Sequence, residues 1–298
     1  SESRCEMNPL TFLENSSIDQ FILNSLTCGY SLRGISVEIV EKIVDLLKEY
    51  SWSESIAIDM INKTINILDH NSFYKRMYQK YKQFERPNFL YNLIKGNFRG
   101  NRIVDVGCGF NYFCQYLGAK FESYYCVGTD ILDLNGDNYQ NNVAFIHQKN
   151  CTEIPIDNNY ADCIILANVL HHVNQKELVL LLKDVQRIQA FEGKIFIIED
   201  SWDHQLVPQY GNEVLIQTFN RLTESDKFKA LCVMDWIGTE LATGQIGMDR
   251  PYTFNTIAQW EKFFLEIGFN IIKVSYLGFP LEKLHLSPQC YFIIENKK

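Results

Sequence analysis

The sequence predicts an α/β protein, a mostly parallel sheet with helices on both faces, preceded by a helical region. Three observations predict it. The first 100 residues carry amphipathic helical stretches, and from residue 101 short apolar runs alternate with helical segments. The first of those runs, Ile103 to Val106, enters a turn with glycines at 107 and 109 before a helix that begins near Tyr112. Two glycines at a strand-to-helix turn let the backbone approach a ligand closely, and a helix N-terminus offers unpaired N–H groups.

The helical region is taken first. Residues 1–30 are mixed, with a short helix expected around Ile18 to Leu26. Ile35 to Tyr50 reads as an amphipathic helix, with Ile39, Val40, Ile43, Val44, Leu47 and Tyr50 on one face. Ser53 is placed to cap a second helix running to Leu68, and Phe73 to Phe84 reads as a third. Arg86-Pro87 interrupts it, and Pro87 suits the first turn of a helix through Ile94. Residues 1–100 are therefore expected to form a helical N-terminal cap.

Seven strands are expected beyond it: Ile103–Val106, Tyr125–Thr129, Val143–His147, Cys163–Ala167, Lys194–Glu199, Ile271–Leu277 and Cys290–Glu295. Helices lie near Tyr112–Leu117, Gln175–Gln189 and Thr256–Ile267, spaced to permit right-handed crossovers. Gly268 ends the last helix. The final two strands have no helix between them, so they are expected to pair as a hairpin. Residues 203–252 break the alternation, with a helix expected over Val214–Leu222 and a loop over Thr239–Pro251. An insertion at the C-terminal edge of a parallel sheet lies beside the ligand crevice, and a substrate lid is the expectation there.

Composition narrows the partners. A length of 298 residues suits one large domain or a domain with an appendage, and 46% hydrophobic residues suffice for a core. The net charge of −8 argues against a nucleic-acid partner. The nine cysteines contain no C-x-x-C pair, which fits a reducing cytosol better than a disulfide framework or a zinc site. No apolar run is long enough to span a bilayer, and residues 1–30 contain no apolar leader, so no membrane partner and a cytoplasmic location are expected.

The turn Asp105-Val-Gly-Cys-Gly-Phe-Asn111 carries the strongest functional signal. The dinucleotide pattern G-x-G-x-x-G fails, because Tyr112 stands at the third glycine. What remains, an acid followed by Gly107-Cys108-Gly109, resembles motif I of the class I S-adenosylmethionine-dependent methyltransferases. That family usually has one more glycine where this chain has Asn111, a residue that also takes up left-handed backbone. About 25 residues on, Tyr124-Tyr-Cys-Val-Gly-Thr-Asp130 ends a second strand in a carboxylate, as a βαβ nucleotide site does. Gln148-Lys-Asn-Cys-Thr-Glu-Ile-Pro-Ile156 and Ala161-Asp-Cys-Ile-Ile-Leu-Ala-Asn-Val-Leu-His-His172 are similar to the family segments after the third strand and at the fourth.

The resemblance implies a seven-stranded Rossmann-like methyltransferase sheet with the last strand antiparallel, and S-adenosyl-L-methionine as cofactor, with S-adenosyl-L-homocysteine as product. It implies that Asp105 orders the turn and faces the methionine amino group, and that Gly107, Cys108 and Gly109 pass beneath the methionine part. It assigns the ribose hydroxyls to Asp130 and the adenine face to Ile131. Asn150 would meet the adenine amino group through its side-chain oxygen and Cys151 a ring nitrogen through its backbone N–H. Asn168 completes the set.

Methyl transfer needs in-line positioning and exclusion of water, and a base where the acceptor must lose a proton. His171 and His172 stand beyond the fourth strand, at the ligand edge. Glu199, Asp200 and His204 follow the fifth. These five are the candidate catalytic residues. Tyr210, Arg250 and Tyr252 are substrate-side candidates in the insertion, and Tyr74 and Arg76 are placed to reach the cofactor carboxylate. His204, Asp200 and His285 lack any metal-motif spacing, so no metal is expected.

The expected function is methylation of a small-molecule acceptor, which acidity, cap, insertion and Leu170-His-His favour. Methylation of nucleic-acid bases is disfavoured, since Asn168-Val-Leu-His171 lacks the prolines of the usual stacking loop. A protein methyltransferase and an inactive cofactor-binding partner subunit remain as alternatives.

Overall fold

The structure is a computed structural model that describes residues 7–67, 79–134, 139–242, 250–281, 283 and 285–297. Its helices, in chain order, are α1 (Ser16–Ser31), α2 (Val37–Glu49), α3 (Glu54–Ile67), α4 (Arg86–Ile94), α5 (Tyr112–Lys120), α6 (Gln175–Ile188), α7 (Glu213–Asn220), α8 (Glu224–Trp236) and α9 (Ile257–Ile267). The strands are β1 (Arg102–Val106), β2 (Tyr125–Asp130), β3 (Val143–His147), β4 (Ala161–Ala167), β5 (Gln189–Asp200), β6 (Phe269–Gly278) and β7 (Gln289–Asn296). Among the described residues no helix is long and apolar enough to cross a membrane.

The chain divides into two compact units. One comprises Ser1–Lys80, Tyr210–Met248 and Phe279–Ser287; the other comprises Tyr81–Gln209, Asp249–Gly278 and Pro288–Lys298.

The first unit is helical. Val40, Ile43, Val44 and Leu47 of α2 are buried, the stripe that helical spacing predicts. Phe21 of α1 packs on Phe219 of α7 at 5.1 Å and on Phe279 at 6.1 Å, between ring centroids. Ser25 Oγ accepts from the Leu286 N–H at 2.8 Å, so the segment after β6 is tied to α1. Helix α8 is not anticipated by the sequence reading. Ala230 through Trp236 are all buried, so no polar face marks its period. Its start is marked all the same, since Thr223 Oγ1 accepts from the Asp226 N–H at 3.1 Å. A π-helical turn, Ile237–Ala242, continues α8. The loop expected over Thr239–Pro251 is corrected there, because Thr239 Oγ1 bonds back to the Asp235 carbonyl at 2.9 Å and keeps the backbone coiled. Residues 243–249, with Gly244 and Gly247, lie outside the described residues.

The second unit is built on one seven-stranded sheet in the order β3-β2-β1-β4-β5-β7-β6. β1 pairs in parallel with β2 and β4, β2 with β3, and β4 with β5. β7 is antiparallel to both β5 and β6. The seven strands and the antiparallel last strand are as expected. Ile103, Cys163, Phe196 and Ile293 line one buried core, and Phe89, Leu90 and Ile94 of α4 join it. That packing places residues 81–100 with the sheet, not with the helical region to which the sequence reading gave them. Glu85 precedes α4, whose first turn holds Pro87, as expected. Of the helix expected over Phe73–Phe84, residues 73–78 lie outside the described residues and Tyr81–Glu85 form a π-helical turn. Thr256 and Gln259 close a capping box at the start of α9, and Gly268 ends it at φ 107°.

Parallel register brings the functional segments to one edge. Val106 lies level with Thr129, Asp130 with His147, and Ala167 with Ile198. The residues that follow β1, β2, β4 and β5 therefore share the C-terminal edge, where ligands of open α/β sheets bind.

Candidate active site

The turn after β1 is laced to the end of β2. The N–H groups of Gly107 and Cys108 both donate to the Thr129 carbonyl, at 2.8 and 3.0 Å. Gly107 and Gly109 have φ of 74° and 55°, conformations that side-chain-bearing residues rarely adopt. A Cβ on Gly107 would come within 2.6 Å of Val169 Cγ2, whereas one on Gly109 would meet open space. The Gly109 N–H donates to Asp130 Oδ2 at 2.8 Å, and the Leu132 N–H donates to Oδ1 at 2.8 Å. Asp130 is thus fixed beside the open side of the glycine turn. Burial raises its carboxyl above the usual range, while the backbone donors of Leu132, Gly109 and Ile131 oppose that rise. Ile131 is half exposed just beyond it, with its carbonyl 3.1 Å from His147 Nε2.

Asn111 takes up the left-handed conformation that the missing glycine would have supplied, at φ 57°. Its amide donates to the Ala144 carbonyl of β3 at 3.1 Å. Asp105 is buried in β1, and its carboxyl is pushed up to about 7, mainly by burial and further by Asp130, with Arg86 opposing. Arg86 Nη2 donates to the Ala167 carbonyl at the end of β4, at 3.1 Å. The sequence reading does not single out Arg86. Its only signal there is a basic residue at the head of a helix before the motif.

Asn150 organises the turn after β3. Its side-chain oxygen accepts from the Thr152 N–H at 2.9 Å, the Thr152 hydroxyl at 2.8 Å and the Glu153 N–H at 3.0 Å. A carbonyl oxygen has two lone pairs, so in this structure that oxygen is engaged in its own turn. Cys151 follows, half buried, with its thiol pushed up by burial and by Glu177. The whole segment is clamped from α6. Arg187 donates to the carbonyls of Ile154 and Ile156 at 2.8 and 2.7 Å, and Asp184 Oδ2 accepts from the Ile154 N–H at 2.6 Å.

Beyond β4 and β5 a second cluster forms. Asn168 is left-handed at φ 60° and donates through Nδ2 to Asp200 Oδ1 at 3.0 Å. Gln289 of β7 donates to that same carboxylate oxygen at 2.9 Å and to Asn168 Oδ1 at 3.1 Å. Gln289 was not foreseen, because only the antiparallel insertion of β7 beside β5 brings it there. Glu199 is fully buried. One of its oxygens accepts from the N–H groups of Val169 and Leu170 at 2.8 and 2.6 Å, and the other meets His171 Nδ1 at 2.5 Å. A carboxylate only accepts, so the hydrogen sits on Nδ1 and Nε2 is the basic nitrogen of the neutral ring.

Residues 252–254 pack against this loop. The Thr253 N–H donates to the His171 carbonyl at 3.1 Å, and Phe254 stacks on the His171 ring at 4.9 Å and 22°. Tyr252 is buried at φ 52°, with its ring 6.4 Å from that of Phe254. His172 is the ring neighbour of His171 at 4.0 Å. The structure therefore gathers His171, His172, Glu199 and Tyr252 around one loop, with Phe254 as an unforeseen member. Arg250 is half buried two residues before Tyr252. His204 is exposed on the turn that Asp203 organises, whose Oδ1 accepts from the Gln205 and Leu206 N–H groups at 2.7 and 2.6 Å. Tyr210 belongs to the helical unit. Tyr74 and Arg76 lie outside the described residues.

Two halves emerge along the sheet edge, one able to seat a nucleoside and the other able to hold a base. Among the described residues nothing lies within 4 Å of a Cβ built on Gly109, and that side of the turn, beside a fixed carboxylate, fits the adenosine and methionine parts of S-adenosylmethionine. When bound, that cofactor supplies a methyl group already activated on a sulfonium.

Residues 104–197 match the family model of the methyltransferase domain. The myricetin 7/4'-O-methyltransferase 2 proteins of Solanum habrochaites and Solanum lycopersicum are each 27% identical over 184 residues, 60% of this chain and 44% of theirs. The matched stretch thus spans less than half the length of those relatives. Among solved structures, a chain from the complex of the Haloferax volcanii Trm112 methyltransferase activator with a methyltransferase is 11% identical, with TM-score 0.49, over 76% of this chain and 96% of that one. The Haemonchus contortus phosphoethanolamine N-methyltransferase 2, solved with S-adenosyl-L-methionine, is 13% identical, with TM-score 0.47, over 72% of this chain and 53% of its own. The strand order with its antiparallel seventh strand and the domain match over that same stretch make one statement: the chain has the Rossmann-like fold, and its residues 104–197 are similar to the methyltransferase domain.

Proposed function

We propose that this chain transfers the methyl group of S-adenosylmethionine to a hydroxyl of a small-molecule acceptor. The observation that carries the reading is the buried pair of Glu199 and His171, 2.5 Å apart, at the same sheet edge as the glycine turn. A hydroxyl must lose its proton as its oxygen attacks the methyl carbon, and a carboxylate-oriented imidazole is suited to take it. Glu199 holds the ring and, through Val169 and Leu170, the loop that carries it. The oxygen–carbon bond forms as the carbon–sulfur bond breaks, the electron pair leaves on sulfur, and the proton passes to His171 Nε2. His172, Asp200 and His204 are kept as further candidates at this edge. The curated relatives, whose names describe O-methylation of myricetin, support an oxygen acceptor.

We assign acceptor choice to the N-terminal helical region and to residues 203–252, as cap and lid, with Tyr210, Arg250 and Tyr252 on the substrate side. The free cysteines support a reducing, cytoplasmic setting.

The test is a screen of phenols, alcohols, amines and thiols with methyl-labelled S-adenosylmethionine. Transfer to a hydroxyl, falling at least 100-fold in kcat for His171→Ala, supports the reading. Transfer to nitrogen or sulfur alone, or a His171→Ala variant with unchanged kcat, would refute it.

A further inference from the structure

Gln289 opens β7, is buried, and stands directly opposite Asp200 of β5 in the antiparallel ladder. Side chains directly opposite across such a pair share one face of the sheet. The Asp200 carboxylate only accepts, so the amide nitrogens of Gln289 and Asn168 are the atoms that face its Oδ1, at 2.9 and 3.0 Å. That fixes the rest of the network. The Gln289 nitrogen turns its second hydrogen to Asn168 Oδ1, 3.1 Å away, and the three side chains close a ring of hydrogen bonds. One neutral atom with two hydrogens is what reaches both acceptors from this position. A hydroxyl has one hydrogen, and a carboxylate or an apolar side chain has none.

The ring grips Asn168 where its backbone departs from the strand. Asn168 follows β4, gives its N–H to the Ile198 carbonyl at 2.8 Å and then turns left-handed at φ 60°. Asparagine visits that conformation as a single residue, helped by hydrogen bonds from its side chain. The next residue meets the glycine motif. A Cβ on Gly107 would fall 2.6 Å from Val169 Cγ2, so the Val169 side chain fills the place that a side chain at position 107 would need. Glu199 holds the Val169 N–H at 2.8 Å, and the conformation of Asn168 sets the direction from which Val169 approaches the turn. We propose that Gln289 is a positioning residue of the cofactor site. Acting through Asn168, it keeps Val169 against Gly107, so the last strand of the sheet sets the shape of a turn that lies more than 170 positions earlier in the chain. The inference rests on the cofactor reading above and deepens it.

The test is calorimetry with S-adenosylhomocysteine and no acceptor. Gln289→Met keeps the length of the side chain and removes both donors. It should weaken binding about tenfold, the scale of leaving buried acceptors without a donor. A general loosening of the sheet would weaken binding in any background, so a second background separates the two. Asn168→Gly keeps the left-handed backbone and removes the side chain. Adding Gln289→Met to it should cost less than about twofold more, because the route to Val169 is already gone. Should either variant fail to fold, or should Asn168→Gly bind too weakly to compare, Val169→Ala decides alone. It should bind at least fivefold more weakly, and wild-type affinity there overturns the proposal. Wild-type affinity in Gln289→Met, or an equal loss in both backgrounds, overturns the positioning role and leaves the cofactor reading in place. A wild type that does not bind S-adenosylhomocysteine overturns the cofactor reading, and this role with it.

Discussion

A Cβ built on Gly128 would lie 2.0 Å from Asn111 Oδ1, so the middle of β2 and the residue that precedes the motif helix share one volume. Asn111 replaces the glycine usual at this turn, and its amide fills the space over Gly128 while bonding to β3 through Ala144. The substitution at one position is thus matched by the absence of a side chain at the other. Gly128→Ala should destabilise the chain by about 1–3 kcal/mol through overpacking, read as a lower melting temperature. Adding Asn111→Gly should recover part of the loss. Equal melting temperatures for wild type and Gly128→Ala would show that the two residues are not coupled.

Asp105 is a buried carboxyl held at a cost in stability. Its carboxyl stands near 7 in the folded chain against 3.8 as the ordinary value, burial being the main cause. A carboxyl raised on folding contributes stability that is complete below its unfolded pKa and is lost as pH rises through the folded one. The cost of ionising it should therefore grow between about pH 4 and 7 and reach on the order of 4 kcal/mol above that range. Asp105→Asn should raise the melting temperature at pH 8 far more than at pH 4, while weakening S-adenosylmethionine binding. A gain equal at both pH values would contradict this account of Asp105.

Arg187 fixes the segment that follows β3 from the side of α6. Its guanidinium holds the carbonyls of Ile154 and Ile156 and pairs with Asp184 at 2.6 Å. A lysine has the charge but not the fork. Arg187→Lys should raise the KM for S-adenosylmethionine several-fold, leave kcat within about twofold, and speed hydrogen exchange over residues 148–158. Unaltered exchange there would separate the clamp from the loop.

Much of this arrangement is legible in the sequence because it depends on local chemistry. The β1 turn is written in Gly107 and Gly109, and the Asn111 departure is readable because asparagine tolerates left-handed backbone. Gly268 and Thr256 mark the ends of α9 in the same local way. What escaped reading depends on distance in the chain. Gln289 meets Asn168 and Asp200 only because β7 runs between β5 and β6, a pairing no periodicity announces. Phe254 reaches His171 through a backbone bond at Thr253, and Arg86 reaches Ala167 over 81 positions. The turn at Asn150 is local, yet it went unread: its neighbours Thr152 and Glu153 donate to its side-chain oxygen. Helix α8 hid its period because its second half, Ala230 to Trp236, is buried all round.

The most direct test of the cofactor site is calorimetry of S-adenosylmethionine against the wild type and Asp130→Ala. Asp130 is tied to the glycine turn by a 2.8 Å bond from the Gly109 N–H. The account predicts micromolar binding that weakens at least tenfold in the variant, about 1.4 kcal/mol. Wild-type binding that the substitution leaves unchanged, or no binding by the wild type at all, would contradict it.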